Sequence, residues 1–444
     1  MVGFLYQSWG LKYETICSEC STPDHAWKMP MSLPASFRHD SERRHLQLDP
    51  LDASFFQDPY PTYAHLHATG SSFFWENYGF WCFIGYDAVN RLLRDRRFGR
   101  EKRHSDADSQ GRAGDRSHLI DFDHIEKFSM LELEPPVHTR LRTLVNRAFV
   151  SRQVERLRPR IEALANDLID KFEPRGQADL IAEFATPIPV TVIAEMLGVP
   201  TQAAPQLLDW SHRIVAMYMH GRTRQSEESA NAAAAEFSQF LRDYADKRRS
   251  EPADDLLSLL LAAEADGAKL TEDELITTAI LLLNAGHEAT VHQTGNAVKT
   301  ILESGTNPAS LLADADTTAK TVEECIRYDA PLHMFTRYAY EAIDLGDGIK
   351  LEPGDQIGLM LGAANRDPLV FQSPEIFRPD RTDQKNLSFG AGIHFCIGTP
   401  LARLELQVAL KVLFDRLPNL KLCDVPRYRN TYHFHGLERL DVSW

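Results

Sequence analysis

No apolar run in this 444-residue chain approaches the roughly 20 residues that cross a bilayer, so a membrane span is not expected. The opening Met1-Val-Gly-Phe-Leu-Tyr-Gln-Ser-Trp-Gly10 is too short, and lacks the basic flank, for a secretory signal. Positive charge is in short supply: 48 Lys and Arg face 63 Asp and Glu, a formal net charge of -15. That balance argues against nucleic acid or an anionic membrane surface as the main partner. Cysteine is scarce too. Cys17, Cys20, Cys82, Cys325, Cys396 and Cys423 are scattered and make no disulfide framework, which fits a reducing cytoplasm. Cys17-Ser-Glu-Cys20 has a metal-site spacing, but no second Cys or His pair lies near it, so chance explains it better. A soluble cytoplasmic protein is the expectation.

What the chain does have is enough apolar residue, 43% against 25% charged, for a large core. It also has one unusual cysteine. Leu387-Ser-Phe-Gly-Ala-Gly-Ile-His-Phe-Cys-Ile-Gly-Thr-Pro-Leu401 crowds three glycines around Cys396, and an apolar helical pattern, Leu401 to Leu417, comes directly after it. Glycine lets a loop take positive φ and lets backbone come close to a bound group. The helix start adds partial positive charge, which favours thiolate over thiol. A lone cysteine is more often a small buried hydrophobe. The surrounding string points instead to a cradle for a ligating or reactive thiolate.

Phe389-Gly390-x-Gly392-x-His394-x-Cys396-x-Gly398 resembles the haem-binding loop of the cytochrome P450 family at every fixed position. The resemblance implies that Cys396 is the axial thiolate of a haem b iron and that Phe389 shields the sulfur. It also implies that Gly390 shapes the loop and that His394 hydrogen-bonds a haem propionate. A thiolate pushes electron density onto iron and favours O–O cleavage.

Three further segments resemble the same family in the expected order. In Glu134-Pro-Pro-Val-His-Thr-Arg-Leu-Arg-Thr-Leu-Val-Asn-Arg-Ala-Phe149, His138 and Arg142 share a helix face at i and i+4, and the resemblance makes both propionate ligands. A solvated basic face is the bland alternative. Arg140 and Arg147 face elsewhere, as ordinary surface charge or as docking residues for an acidic electron donor. Glu324 and Arg327, three apart, resemble the family's structural ion pair, with Arg381 as third partner; all three read as locking the fold. Arg337 matches a propionate-binding position, and His333 to Phe335 are expected to line the pocket.

The second anchor is Thr271-Glu-Asp-Glu-Leu-Ile-Thr-Thr-Ala-Ile-Leu-Leu-Leu-Asn-Ala-Gly-His-Glu-Ala-Thr290. Thr271 and Glu274 predict a capping box, and the apolar stretch Ala279 to Leu283 a buried helix. A carboxylate such as Glu288 inside it is expensive unless paired or functional. Ala285-Gly286-His287-Glu288-Ala289-Thr290 resembles the family's oxygen-activation motif, in which glycine marks a helix distortion and an acid–alcohol pair relays protons. Here the position after the acid, usually threonine, is Ala289. Thr290 is rotated from it by about 100° on a helix of 3.6 residues per turn. Glu288, Thr290 and the Ala289 position are therefore the catalytic candidates, with water, a substrate hydroxyl or Thr290 after local unwinding supplying the missing hydrogen bond.

The resemblance covers roughly residues 48 to 444. It implies a mainly α fold with a small β region, one cytochrome P450 domain over 41–444 around a buried haem, preceded by a poorly ordered extension over 1–40 in which Met29 and Met31 are plausible true starts. Aromatic strands are expected over Phe73–Ile84, and helices over Tyr86–Arg94, Arg152–Phe172, Leu180–Leu197, Ala203–Met219, Ser226–Lys247 and Asp254–Ala265. The apolar Ile214–His220 is core or pocket lid. A strand is expected at Leu332–Ala339, and a hairpin at Asn430–Leu437 whose tip touches substrate. His433 and His435, with no carboxylate near in sequence, do not suggest a metal site.

The implied activity is insertion of one atom of O₂ into a small to medium hydrophobic substrate. The chain carries no flavin, ferredoxin or nicotinamide fingerprint, so electrons are expected from a separate ferredoxin and ferredoxin reductase, docking near Arg403. A peroxide-driven haem-thiolate peroxygenase, suggested by Ala289, and a non-catalytic haem-thiolate sensor are the alternatives.

Overall fold

The computed structural model describes residues 33–102, 116–146, 149, 151–219, 221–265, 268–382 and 385–444. Cys17, Cys20, Met29, Met31, Arg147 and His220 lie outside the described residues. Strand β1 (Arg38–Asp40) pairs antiparallel with β2 (His45–Gln47).

Beyond this hairpin the chain is mostly helical. Pro59 opens α1 (Tyr60–Thr69), and α2 (Tyr86–Leu92) comes after the aromatic strands β3 (Ser72–Trp75) and β4 (Phe80–Phe83). After the short β5 (Phe98–Gly99) come α3 (Ile120–Lys127) and α4 (Val137–Asn146). The helix expected over Arg152–Phe172 is two pieces, Ser151–Glu155 and α5 (Arg158–Phe172). Pro159 has no N–H to continue the first and instead occupies the first turn of the second. Leu180–Leu197 also divides, into a π-turn at Ile181–Ala185 and α6 (Pro187–Leu197). Next are α7 (Ala204–Val215), α8 (Arg224–Ser250) and α9 (Leu256–Ala262), the last stopping early because Ala263 is extended.

The buried rod is α10 (Glu272–Glu303), with its capping box present: Thr271 Oγ1 accepts from Glu274 N at 3.2 Å, and Glu274 Oε2 accepts from Thr271 N at 2.9 Å. It packs against α6, α11 (Ala315–Tyr328) and α12 (Thr399–Arg416), whose apolar faces share one continuous core. The helix is unbroken through Gly286, so the expected distortion is absent. Glycine there allows a close approach: a Cβ would stand 3.0 Å from Ile193 Cγ1 of α6.

Strands β6 (Phe335–Ala339) and β7 (Gln356–Leu359) complete a seven-stranded mixed sheet in the order β1-β2-β3-β4-β7-β6-β5. Arg337 lies opposite Ile357 across the β6–β7 ladder. The 365–381 segment is tied to α11 through Glu324, Arg327 and Arg381. Arg327 Nε and Nη2 donate to Glu324 at 2.8 and 2.7 Å, and Arg381 Nε donates to Glu324 Oε1 at 3.0 Å. Arg327 and Arg381 also donate to main-chain carbonyls of the 365–376 segment, so each buried charge is compensated.

Candidate active site

Cys396 sits two residues before the N-cap of α12, on a loop whose shape needs its glycines. Gly390 and Gly392 have φ of +69° and +74°, and a Cβ on Gly392 would stand 2.5 Å from Leu93 O. The chain folds back so that Cys396 N donates to Phe389 O at 3.0 Å. The sulfur opens onto a cavity but is enclosed by protein, and burial pushes its thiol pKa up. The N–H groups of Gly398 and Thr399 and the nearby Arg142 act in the opposite direction, so the loop offers donors that a thiolate would take.

The cavity measures about 1260 Å³. A usual small-molecule pocket is about 300–1,000 Å³, so this one has room for a large cofactor and a substrate together. Phe389, Cys396 and Gly398 line one side. From α10, Thr277, Leu281, Ala285, Ala289 and Gln293 line it at four-residue steps, with Glu288 and Thr290 beside them. Ile214, Met217, Tyr218 and Met219, and the turn Asn430–Phe434, contribute further walls.

Cations gather at one edge with too few anions. His138 is buried, and among the described residues neither of its ring nitrogens has a hydrogen-bond partner. Its ring centroid lies 4.4 Å from that of His394, and burial together with His394 and Arg142 pushes its pKa down to about 4. Burial and the neighbouring Arg100 hold even Arg337 down to about 10; among the described residues the one hydrogen bond of its side chain goes to Thr336 O at 2.8 Å. Arg142 donates to Phe395 O at 2.5 Å. His394 is shared, its Nε2 lying 2.9 Å from Glu134 Oε1. Arg100, which carries no motif or spacing that singles it out, belongs here too, paired with Glu132. A buried, orphaned imidazole beside crowded guanidiniums is what the two propionates of a haem would complete. The donor set fits that group.

Residues 103–302 and 295–424 match the sequence profile of the family described as Cytochrome P450. The chain belongs to the cytochrome P450 family. The cytochrome P450 monooxygenase PikC of Streptomyces venezuelae is 37% identical over 410 residues, covering 90% of this chain and 94% of that protein. Two solved structures are 34% identical. P450BioI in complex with acyl carrier protein ligated to hexadec-9Z-enoic acid aligns with a TM-score of 0.81 over 88% of this chain and 99% of its own. A myxobacterial cytochrome P450 in complex with myristic acid gives 0.79 over 88% and 98%. This P450 is therefore a monooxygenase of the haem-thiolate class, an oxidoreductase that uses O₂ and redox partners.

Other expected site residues stand elsewhere. His333 is fully buried behind the cavity, with Nδ1 2.6 Å from Tyr63 Oη; Met334, Phe335 and Thr336 are the residues of that strand that line it. His287, of the same motif as Glu288, is not among the cavity-lining residues; its Nδ1 lies 2.8 Å from Leu283 O. His435 does have a carboxylate near in space, Asp329, at 3.0 Å, and its spacing in sequence hid that. Arg140 and Arg403 are ion-paired, to Glu274 and Glu323. Glu288 is buried at the cavity wall. Burial works against its charge, but a hydrogen bond from His292 at 3.1 Å and the fields of His292, His287 and His212 hold its pKa low, at about 2. At the mouth, Tyr218 Oη of the expected core-or-lid segment donates to Glu126, which has no sequence signal, at 2.7 Å; burial and Glu132 push Glu126 up to about 7. Among the described residues no helix is long and apolar enough to cross a membrane.

Proposed function

We propose that this P450 inserts one atom of O₂ into a small to medium, largely hydrophobic organic molecule, reducing the other to water with two electrons and two protons. Cys396 would hold the iron of haem b, with His138, Arg142, Arg337 and His394 around its propionates and Phe389 and Gly390 forming the loop. Bound haem supplies dioxygen activation, which the thiolate favours by pushing electron density onto iron. The observation that carries this reading is the position of Cys396 on one wall of a large cavity, with Ala285, Ala289 and Glu288 of α10 also lining it.

The chain's own part is to deliver protons and exclude water. Glu288 is the one carboxylate of α10 on the cavity wall, and its carboxyl oxygens are the atoms that would carry a proton inward. Ala289 has no hydroxyl to pass it on. Thr290 lines the cavity one residue further, so Thr290, ordered water or a substrate hydroxyl completes the path. The apolar side chains of Ile214, Val215 and Met217 bound the substrate side and keep it dry.

Electrons come from a separate ferredoxin and its reductase in a cytoplasmic setting. Relatives crystallised with a fatty acid and with an acyl-loaded carrier protein support fatty acids as first probes. The test is a screen for substrate-induced shifts of the haem spectrum, beginning with myristic acid, then reconstitution with a surrogate ferredoxin, its reductase and NAD(P)H. Oxygenated product dependent on O₂ and both redox proteins supports the reading. Ala289 favours one alternative, a peroxide-driven peroxygenase. Product formation faster with hydrogen peroxide alone would favour that enzyme.

A further inference from the structure

At the edge of the cavity, three ligand-type atoms converge between α7 and α10. His212 Nε2 lies 3.5 Å, and His287 Nε2 3.6 Å, from the same oxygen, Glu288 Oε2. All three atoms fall within 4.8 Å of one another. Both contacts are too long for good hydrogen bonds, which run to about 3.2 Å. They match a different spacing. Zinc binds imidazole nitrogen and carboxylate oxygen at roughly 2.0–2.2 Å in tetrahedral geometry, which sets neighbouring ligand atoms about 3.4 Å apart.

The supporting contacts are those a metal ligand needs. His287 Nδ1 lies 2.8 Å from Leu283 O, so it carries the proton and leaves a lone pair on Nε2. That Nε2 is buried and has no hydrogen-bond partner among the described residues. Glu288 is oriented by His292, which takes Oε1 at 3.1 Å and leaves Oε2 turned to the two imidazoles. Arg429 stands 3.9 Å from Oε1, on the His292 side of the carboxylate. His212 is half exposed, 49% of its side chain, and offers an entry path from solvent. A second cluster, Asp329, His333 and His435, lacks these features: Tyr60, Tyr428 and His435 already occupy the Asp329 oxygens, and Tyr63 occupies His333 Nδ1.

We propose that His212, His287 and Glu288 form a divalent-cation site that takes zinc from solvent, with water as the fourth ligand. The site stands on its own geometry. Its consequence rests on the proton-carrying reading of Glu288: zinc would engage Oε2 and inhibit O₂-driven turnover.

The experiment uses haem-loaded enzyme freed of adventitious metal, dialysed against Zn²⁺, with zinc counted per haem. The chain has other imidazoles and thiols, so the readout is the difference between wild type and His212→Ala. One zinc per haem should lose at least about tenfold in affinity in His212→Ala, and in Glu288→Gln as well, with the ferrous carbonyl spectrum showing that both variants are folded and loaded. Equal zinc binding by wild type and His212→Ala overturns the site. Zinc that binds at His212 without slowing turnover keeps the site and removes Glu288 as proton carrier, so the two failures are distinguishable.

Discussion

Arg327 grips Glu324 at two points, Nε to Oε2 at 2.8 Å and Nη2 to Oε1 at 2.7 Å, with both side chains nearly out of water. Removing one partner of such a pair leaves an uncompensated buried charge and costs about 3–5 kcal/mol. Arg327→Ala should therefore lower the thermal unfolding midpoint sharply and yield protein with little haem. Arg327→Lys, which cannot make the two-point contact, should fall between. Wild-type midpoint and haem content in Arg327→Ala would show that the lock is dispensable.

Arg337 is a buried cation whose side chain makes one hydrogen bond among the described residues, to Thr336 O. A hydrogen bond to a charged group is worth about 1.5–3 kcal/mol. Arg337→Ala should lose haem to an apomyoglobin trap roughly 10–100 times faster than wild type, a range set by that energy. An unchanged transfer rate would remove Arg337 from the propionate site.

Glu405 lies deep in α12 and neither of its carboxyl oxygens has a hydrogen-bond partner among the described residues. Burial pushes its pKa from 4.5 up to about 8. Between those values the folded state keeps a proton that the unfolded state releases, so stability falls as pH rises through that window. The loss is on the order of a few kcal/mol, at about 1.4 kcal/mol per unit. Glu405→Gln should flatten the pH profile of denaturant unfolding and be the more stable protein above pH 8. Parallel profiles for the two proteins would contradict the burial argument.

The gap at Ala289 makes a kinetic prediction. Ala289→Thr restores a hydroxyl next to Glu288 and should raise the ratio of product to NAD(P)H consumed, with less hydrogen peroxide released. Glu288→Gln should slow turnover or increase peroxide. Unchanged coupling in Glu288→Gln with a spin-shifting substrate would exclude the relay.

Much of the fold and site is legible in the sequence because the motifs are local. The Cys396 loop, the 271–274 capping box and the three-residue spacing of Glu324 and Arg327 each need only neighbours in the chain, and each has the expected geometry. The illegible parts depend on distant partners. Gly286 reads as a helix breaker because its reason, the approach of Ile193, lies on another helix. His333 reads as a pocket residue because Tyr63, which claims it, stands 270 positions away. Glu126, Arg100 and His212 sit in segments with no recognisable spacing, and only the packing brings them to the cavity or its margin.

The central claim is a bond between Cys396 sulfur and haem iron, and the ferrous carbonyl spectrum of the purified protein reads it directly. Wild type should show the strongly red-shifted Soret band of thiolate coordination, and Cys396→Ser should lose it. A wild-type band at the unshifted position of a neutral ligand, or the same band in both proteins, would contradict the account.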